Sequence, residues 1–175
     1  WIAERARTLK PAGHRFIFGF EEALGYSVGE TVADKDGVSA ALALCARFES
    51  LRREGQTLVD RLEALYAEYG CFVTDQRVAR FAGIDAQAEM SAAVVAVRNN
   101  PPQQVGGLSR RTATYDPEAN LVTLRYADGD QALRVLVRPS GTEPKVKTYF
   151  EWRGPPADRA QLGSLIDDWQ RTLGA

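Results

Sequence analysis

Histidine and cysteine are scarce: His14 stands alone, and Cys45 and Cys71 are the only thiols among 175 residues. A lone histidine argues against a His/Cys metal centre or a Ser-His-Asp triad of the usual kind. Two cysteines, with Cys45 on an apolar helical stripe, make no disulfide framework, and a reducing, cytoplasmic setting is the expectation. Neither sign of charge is in excess. The 22 Lys and Arg against 23 Asp and Glu leave a net charge of −1, which points away from nucleic acid and anionic membranes as partners. No apolar run approaches the roughly 20 residues of a membrane span. There is no signal peptide; the chain opens as an amphipathic helix entered partway, and the missing initial Met agrees with a fragment. What is present is ordinary for a globular protein, 45% hydrophobic and 26% charged, enough for one large or two small domains.

Taken in order, residues 1–9 read as the end of a helix that Pro11 and Gly13 break. His14–Phe18 is a short apolar run expected to be a buried strand. A helix capped by Asp34 or Asp36 runs from about Val38 to Arg53, with Val38, Leu42, Cys45 and Phe48 on one stripe. Gly55 ends it, Thr57 starts another, and Gly70 ends that one. The boundary between two domains is placed there, giving 1–70 and 71–175. In the second, strands are expected at 72–81, 104–115, 121–126, 133–138 and 145–152. A helix from Asp85 or Ser91 to Arg98 and a final helix with Leu162, Leu165, Ile166, Trp169 and Leu173 on one stripe complete it. The order β-α-β-β-β-β-α suggests an α+β domain, with two helices on one face of a largely antiparallel sheet of four to five strands.

Two polar segments carry the chemistry. Arg138-Pro-Ser-Gly-Thr-Glu-Pro144 lies between two strands. Pro139 and Pro144 stiffen it, and Gly141 permits a left-handed or closely approached backbone. Ser140 and Thr142 supply hydroxyls, backbone N–H groups can form an anion-binding concavity, and Arg138 adds a planar fork matched to phosphate. The alternative is a plain hairpin loop, since turns favour Ser, Gly and Pro. Earlier, Gly19-Phe-Glu-Glu-Ala-Leu-Gly-Tyr26 places Glu21 and Glu22 at the end of a strand, where ligands gather in open α/β sheets. Carboxylates there suit sugar hydroxyls, although the pair can equally begin a solvated helical turn.

The order of residues in both loops resembles the α-D-phosphohexomutases, the phosphoglucomutase/phosphomannomutase family. Residues 138–145 look like the phosphate-binding loop of the family's last domain, and 19–26 like the sugar-binding loop of its third. The resemblance spans nearly the whole chain. It implies an α/β fragment, the end of domain three, followed by a domain-four fold like that of the TATA-box-binding protein. It implies that Glu21 meets sugar hydroxyls, that Lys35 reaches the phosphosugar, and that Arg138, Ser140, Gly141 and Thr142 hold its phosphate, with Glu22 and Lys145 as further substrate-binding residues of unassigned role. Ala23 departs from the Ser that many members carry, so one hydroxyl contact is missing. Asp128-Gly-Asp130 looks like half of the family's metal loop, yet it lies between two strands and after the sugar loop, and reads as a hairpin turn.

By that resemblance the chain is the C-terminal part of a mutase that moves phosphate between the 1- and 6-position oxygens of a hexose through a phosphoserine and a bisphosphorylated sugar. The phosphoserine and the Mg²⁺ site would lie in domains not in this chain, which alone would be inactive. A glucose 1,6-bisphosphate-type activator and the missing N-terminal domains are the implied partners. Glucose phosphate comes first as substrate, with mannose or a pentose phosphate behind it. The competing reading is a non-catalytic module that binds phosphate or a partner protein, which leaves the Glu21–Glu22 loop and Lys35 unexplained.

Overall fold

The computed structural model describes residues 2–21 and 25–172, so Glu22 and Leu173 lie outside the described residues. The chain divides into two compact units, Trp1–Leu62 and Glu63–Ala175. The division falls inside a helix, before the 70/71 boundary read from the sequence. That helix carries Tyr66 against the core of the second unit and Glu63 to an ion pair with Arg159 at 3.3 Å.

In the first unit, α1 (Ile2–Leu9) and a 3-10 turn (Lys10–Ala12) precede a two-stranded antiparallel hairpin, β1 (Phe18–Glu21) and β2 (Gly25–Val28). α2 (Gly37–Arg53) follows, then the start of α3 (Leu58–Tyr69). Asp36 caps α2 by accepting from the Val38 and Ser39 amides, as expected of one of the two aspartates. Thr57 and Asp60 exchange hydrogen bonds at the start of α3.

One expectation fails here, and one apolar stripe is left open. The 14–18 run is not a buried strand: the strand begins at Phe18, and Ile17 and Phe18 are exposed. The apolar stripe of α2 is also open, with Val38 at 80% and Leu42 at 71%. The physical reason is the same for both. A two-stranded hairpin has no second layer of its own, and nothing among the described residues covers the helix stripe. Of the unit's described apolar side chains only Leu51 is buried.

The second unit has a full core. A six-stranded sheet runs β3 (Cys71–Arg80), β8 (Lys145–Gly154), β7 (Gln131–Pro139), β6 (Leu121–Asp128), β5 (Leu108–Asp116) and β4 (Gln104–Val105), all antiparallel. It gains one strand over the expected four or five because the glycines at 106 and 107 divide the 104–115 run. Leu133, Val135 and Val137 of β7 and Val146, Phe150 and Trp152 of β8 share one buried face. α4 (Ala86–Asn99) adds Met90, Val94 and Val97, and α5 (Gln161–Thr172) adds Leu162, Leu165, Ile166 and Trp169. The Trp169 ring meets Tyr126 and Phe150 edge-on, with centroids 6.3 and 6.2 Å apart. Asp128-Gly-Asp130 is the β6–β7 turn. Asp128 pairs with Gln131, so the central residues are Gly129 and Asp130, and positive φ falls on Gly129 alone.

Tyr126 links this core to pH. Burial pushes its phenol from 10.0 up to about 12, and its hydroxyl donates to the Pro102 carbonyl at 3.1 Å. The folded chain keeps a proton that the unfolded chain releases above pH 10, so this contribution is complete below that pH and is lost as pH rises towards about 12. Denaturant midpoints measured on either side of pH 10 should therefore fall with pH, and Tyr126→Phe should flatten that slope. An equally steep slope in the variant would assign it to other groups.

Candidate functional site

In the first unit the candidate residues meet across the β1–β2 hairpin. Glu21 ends β1 opposite Gly25. Lys35 lies on the loop before α2, and that loop is tied to β2: the Asp36 amide donates to the Tyr26 carbonyl at 2.7 Å and Ser27 Oγ to the Asp34 carbonyl at 3.3 Å. From there Lys35 Nζ reaches Glu21 Oε2 at 3.4 Å. The stem crosses over Gly25, where an added Cβ would fall within 3.0 Å of Lys35 Cγ and nearer still to Cδ. Gly25 is thus the gap through which the cation reaches the carboxylate. An ammonium and a carboxylate side by side present donors and acceptors to a polyhydroxylated ligand.

In the second unit Arg138, Ser140, Gly141, Thr142 and Lys145 come together on the β7–β8 hairpin. The Ser140 amide donates to the Lys145 carbonyl at 2.8 Å, and the Phe81 amide to the Pro144 carbonyl at 2.9 Å. These bonds hold both ends of a five-residue loop, 140–144. The Thr142 amide turns to Ser140 Oγ at 3.4 Å, while those of Gly141 and Glu143 find no acceptor among the described residues. Gly141 is not left-handed, and a Cβ there would meet nothing within 4 Å, so the fold itself does not call for glycine at this position. Of the two reasons read from the sequence, close approach by a ligand is the one left open.

Arg138 is exposed and makes neither a hydrogen bond nor an ion pair among the described residues. The loop's own carboxylate is spoken for: Glu143 pairs with Lys145, and that hydrogen bond, with the charges of Lys145, Arg80 and Lys147, holds its pKa below the usual carboxylate value. Arg80 and Lys147 escaped the sequence reading. Register places Lys147 opposite Arg138 and Arg80 opposite Lys145. Lys147 was visible as the outward residue of its strand, whereas Arg80 needed the pairing of β3 with β8. Exposed cations, free amides and two hydroxyls are groups suited to an anion such as phosphate. No group of three His, Cys, Asp or Glu able to hold a metal occurs among the described residues.

Gly25→Ala should push the Lys35 stem aside and break its pair with Glu21, because a flexible side chain yields before the backbone does. In side-chain NMR spectra of the 175-residue chain, the Lys35 Cε and Nζ signals should move to those of an unpaired lysine. Thermal stability should change by ~1 kcal/mol at most, the scale of an exposed pair. Unmoved Lys35 signals would rule out the crossing over Gly25.

Comparison with known proteins gives the family. The family model described as "Phosphoglucomutase/phosphomannomutase, C-terminal domain" matches residues 51–163, and "Phosphoglucomutase/phosphomannomutase, alpha/beta/alpha domain III" matches 1–69. A probable phosphomannomutase of Haemophilus influenzae is 34% identical over 165 residues, covering 90% of this chain and 32% of the relative. A human phosphopentomutase is 31% identical, covering 96% and 31%, and a Staphylococcus haemolyticus phosphoglucomutase 30% identical, covering 85% and 30%. The open form of the Paramecium phosphoglucomutase parafusin superposes with a TM-score of 0.65 at 18% identity, over 99% of this chain and 32% of that one. The chain thus spans about a third of the length of the relatives it matches, and it belongs to the phosphoglucomutase/phosphomannomutase family, as a C-terminal region of domains III and IV.

Proposed function

We propose that this chain is the substrate-holding C-terminal part of a longer phosphosugar mutase. The enzyme moves phosphate between the 1- and 6-position oxygens of a sugar through a phosphoserine and a bisphosphorylated intermediate. The observation that carries the reading is Arg138: an exposed guanidinium at the end of a core strand, beside two free amides and two hydroxyls, with no partner of its own. There the chain grips the phosphate that is not reacting, and so keeps the far end of the sugar in line for transfer. Glu21 and Lys35 hold hydroxyls, with Glu22 beside them in sequence.

The phosphoserine and the Mg²⁺ ion belong to parts of the protein outside this chain. The ion would neutralise charge on the transferring phosphoryl group. The open apolar stripe of α2 and the exposed β1 support N-terminal domains of the same protein as partners. No helix among the described residues is long and apolar enough to cross a membrane, and the cytoplasm is the proposed compartment. The relatives' names span mannose, pentose and glucose phosphates; glucose phosphate remains the first choice, with a bisphosphorylated sugar as activator.

Two measurements on the full-length enzyme test this. Arg138→Lys keeps the charge but loses the two-point grip, and should lower kcat/KM by about tenfold, roughly 1.4 kcal/mol. Arg138→Ala should cost more and leave the melting temperature unchanged, because the group serves a ligand and not the core. Unfolding by Arg138→Ala with a normal KM in the surviving enzyme would make Arg138 structural. Glu21→Gln should cost about 1.5–3 kcal/mol in transition-state stabilisation, through lost charge-assisted hydrogen bonds. An unchanged kcat/KM would remove Glu21 from the site. The 175-residue chain alone should show no turnover in a coupled assay.

A further inference from the structure

A crevice of about 380 Å³ opens on the other side of the phosphate loop, between α4 and residues 138–141. A phosphate group fills only a small part of such a volume, which falls in the range of small-molecule sites. Not one of the residues that line it is acidic, yet two are arginines, Arg98 and Arg138. Neither forms an ion pair among the described residues. Arg98 instead lies over Tyr115, its guanidinium carbon 4.4 Å from the ring centroid. Tyr115 is held in turn, its hydroxyl donating to Asn120 Oδ1 at 3.1 Å. Val95, one helical turn before Arg98, is 48% exposed and forms an apolar ledge, while its neighbour Val94 belongs to the core. Arg98 is itself exposed, so a guanidinium already placed on one ring remains accessible to a second flat group.

We propose that this crevice takes the planar ring of a nucleoside phosphate whose phosphate sits on the 138–142 loop. Ring and phosphate then occupy adjoining parts of one site, since Arg138, Ser140 and Gly141 line both. Such a ligand competes with the phosphosugar for the loop, which makes the crevice an inhibitory site. The phosphate half rests on the function proposed above, whereas the ring half rests on Arg98, Tyr115 and the valine ledge alone.

The test uses the 175-residue chain and two probes, adenosine 5′-monophosphate and ribose 5-phosphate, titrated by calorimetry. The monophosphate should bind about tenfold more tightly, the scale of one stacked base. Arg98→Lys keeps the charge and loses the plane, so it should leave ribose 5-phosphate binding unchanged and remove the nucleotide's advantage. Arg98 is exposed on its helix, so the variant should keep the wild-type melting curve. As a second measurement, the adenine protons should show Overhauser contacts to the Val95 methyls. Equal affinity for the two probes, or an advantage that survives in Arg98→Lys, overturns the crevice and leaves the phosphate loop standing. Nucleotide binding that depends on Arg98 without any binding of ribose 5-phosphate supports the crevice and removes the phosphate assignment. Failure of both probes to bind overturns both.

Discussion

The register between β7 and β8 is the constraint on which the second unit depends. Leu133, Val135 and Val137 point into the core opposite Trp152, Phe150 and Thr148. Each large apolar side chain buried this way contributes about 1.5–3 kcal/mol. A slip of one residue would turn Arg134 and Arg138 inward and these apolar residues out, so the register admits no near alternative. The same register sets the loop. It ends β7 at Pro139 opposite Val146, leaves the six residues 140–145 to close the hairpin, and puts Arg138 on the outward face. The anion site is therefore positioned by the core behind it.

That outward face breaks a local rule of sheet design. Like charges directly opposite one another destabilise a strand pair, yet Arg125 faces Arg134, Arg138 faces Lys147, and Arg80 faces Lys145. Carboxylates relieve two of the three: Glu151 pairs with Arg134 at 2.8 Å, and Glu143 pairs with Lys145. Arg138 receives none. Rules of this kind are broken where function requires it and the rest of the fold compensates. The unrelieved pair is the one that borders the loop's free amides. On the function proposed above, the phosphate supplies the negative charge that no carboxylate among the described residues gives Arg138.

Much of this could be read from the chain. Alternation in 133–138 and 145–152, with turn residues between, specified the hairpin because a strand buried on one face must alternate. The stripe Leu162, Leu165, Ile166 and Trp169 specified α5 for the corresponding helical reason, and all four are buried. Periodicity reports which face is apolar, however, and not what lies against it. Val38 and Leu42 form as regular a stripe as the α5 residues, and they are open. Ile17 and Phe18 failed in the same way. Arg80 was missed because strand pairing across 64 intervening residues leaves no mark in local sequence. The crevice on α4 was missed because Arg98 and Tyr115 meet only through the fold.

The two units therefore hold their candidate residues by different means. In the second, the loop that carries Arg138 is anchored to a core that includes Trp152, Phe150 and Trp169, all complete within the unit. Its shape is intrinsic to the chain. In the first, Glu21 and Lys35 rest on a two-stranded hairpin, a few backbone hydrogen bonds and a half-exposed ion pair. Surface pairs of that kind contribute about 0–1 kcal/mol, and an isolated two-stranded hairpin is marginal in water. The gap at Gly25 guides Lys35 but supplies no burial of its own. The Arg138 loop is thus held by a buried core, and the Glu21–Lys35 pair by surface contacts alone. The asymmetry lies in the distribution of buried apolar side chains, which gather almost wholly after residue 62.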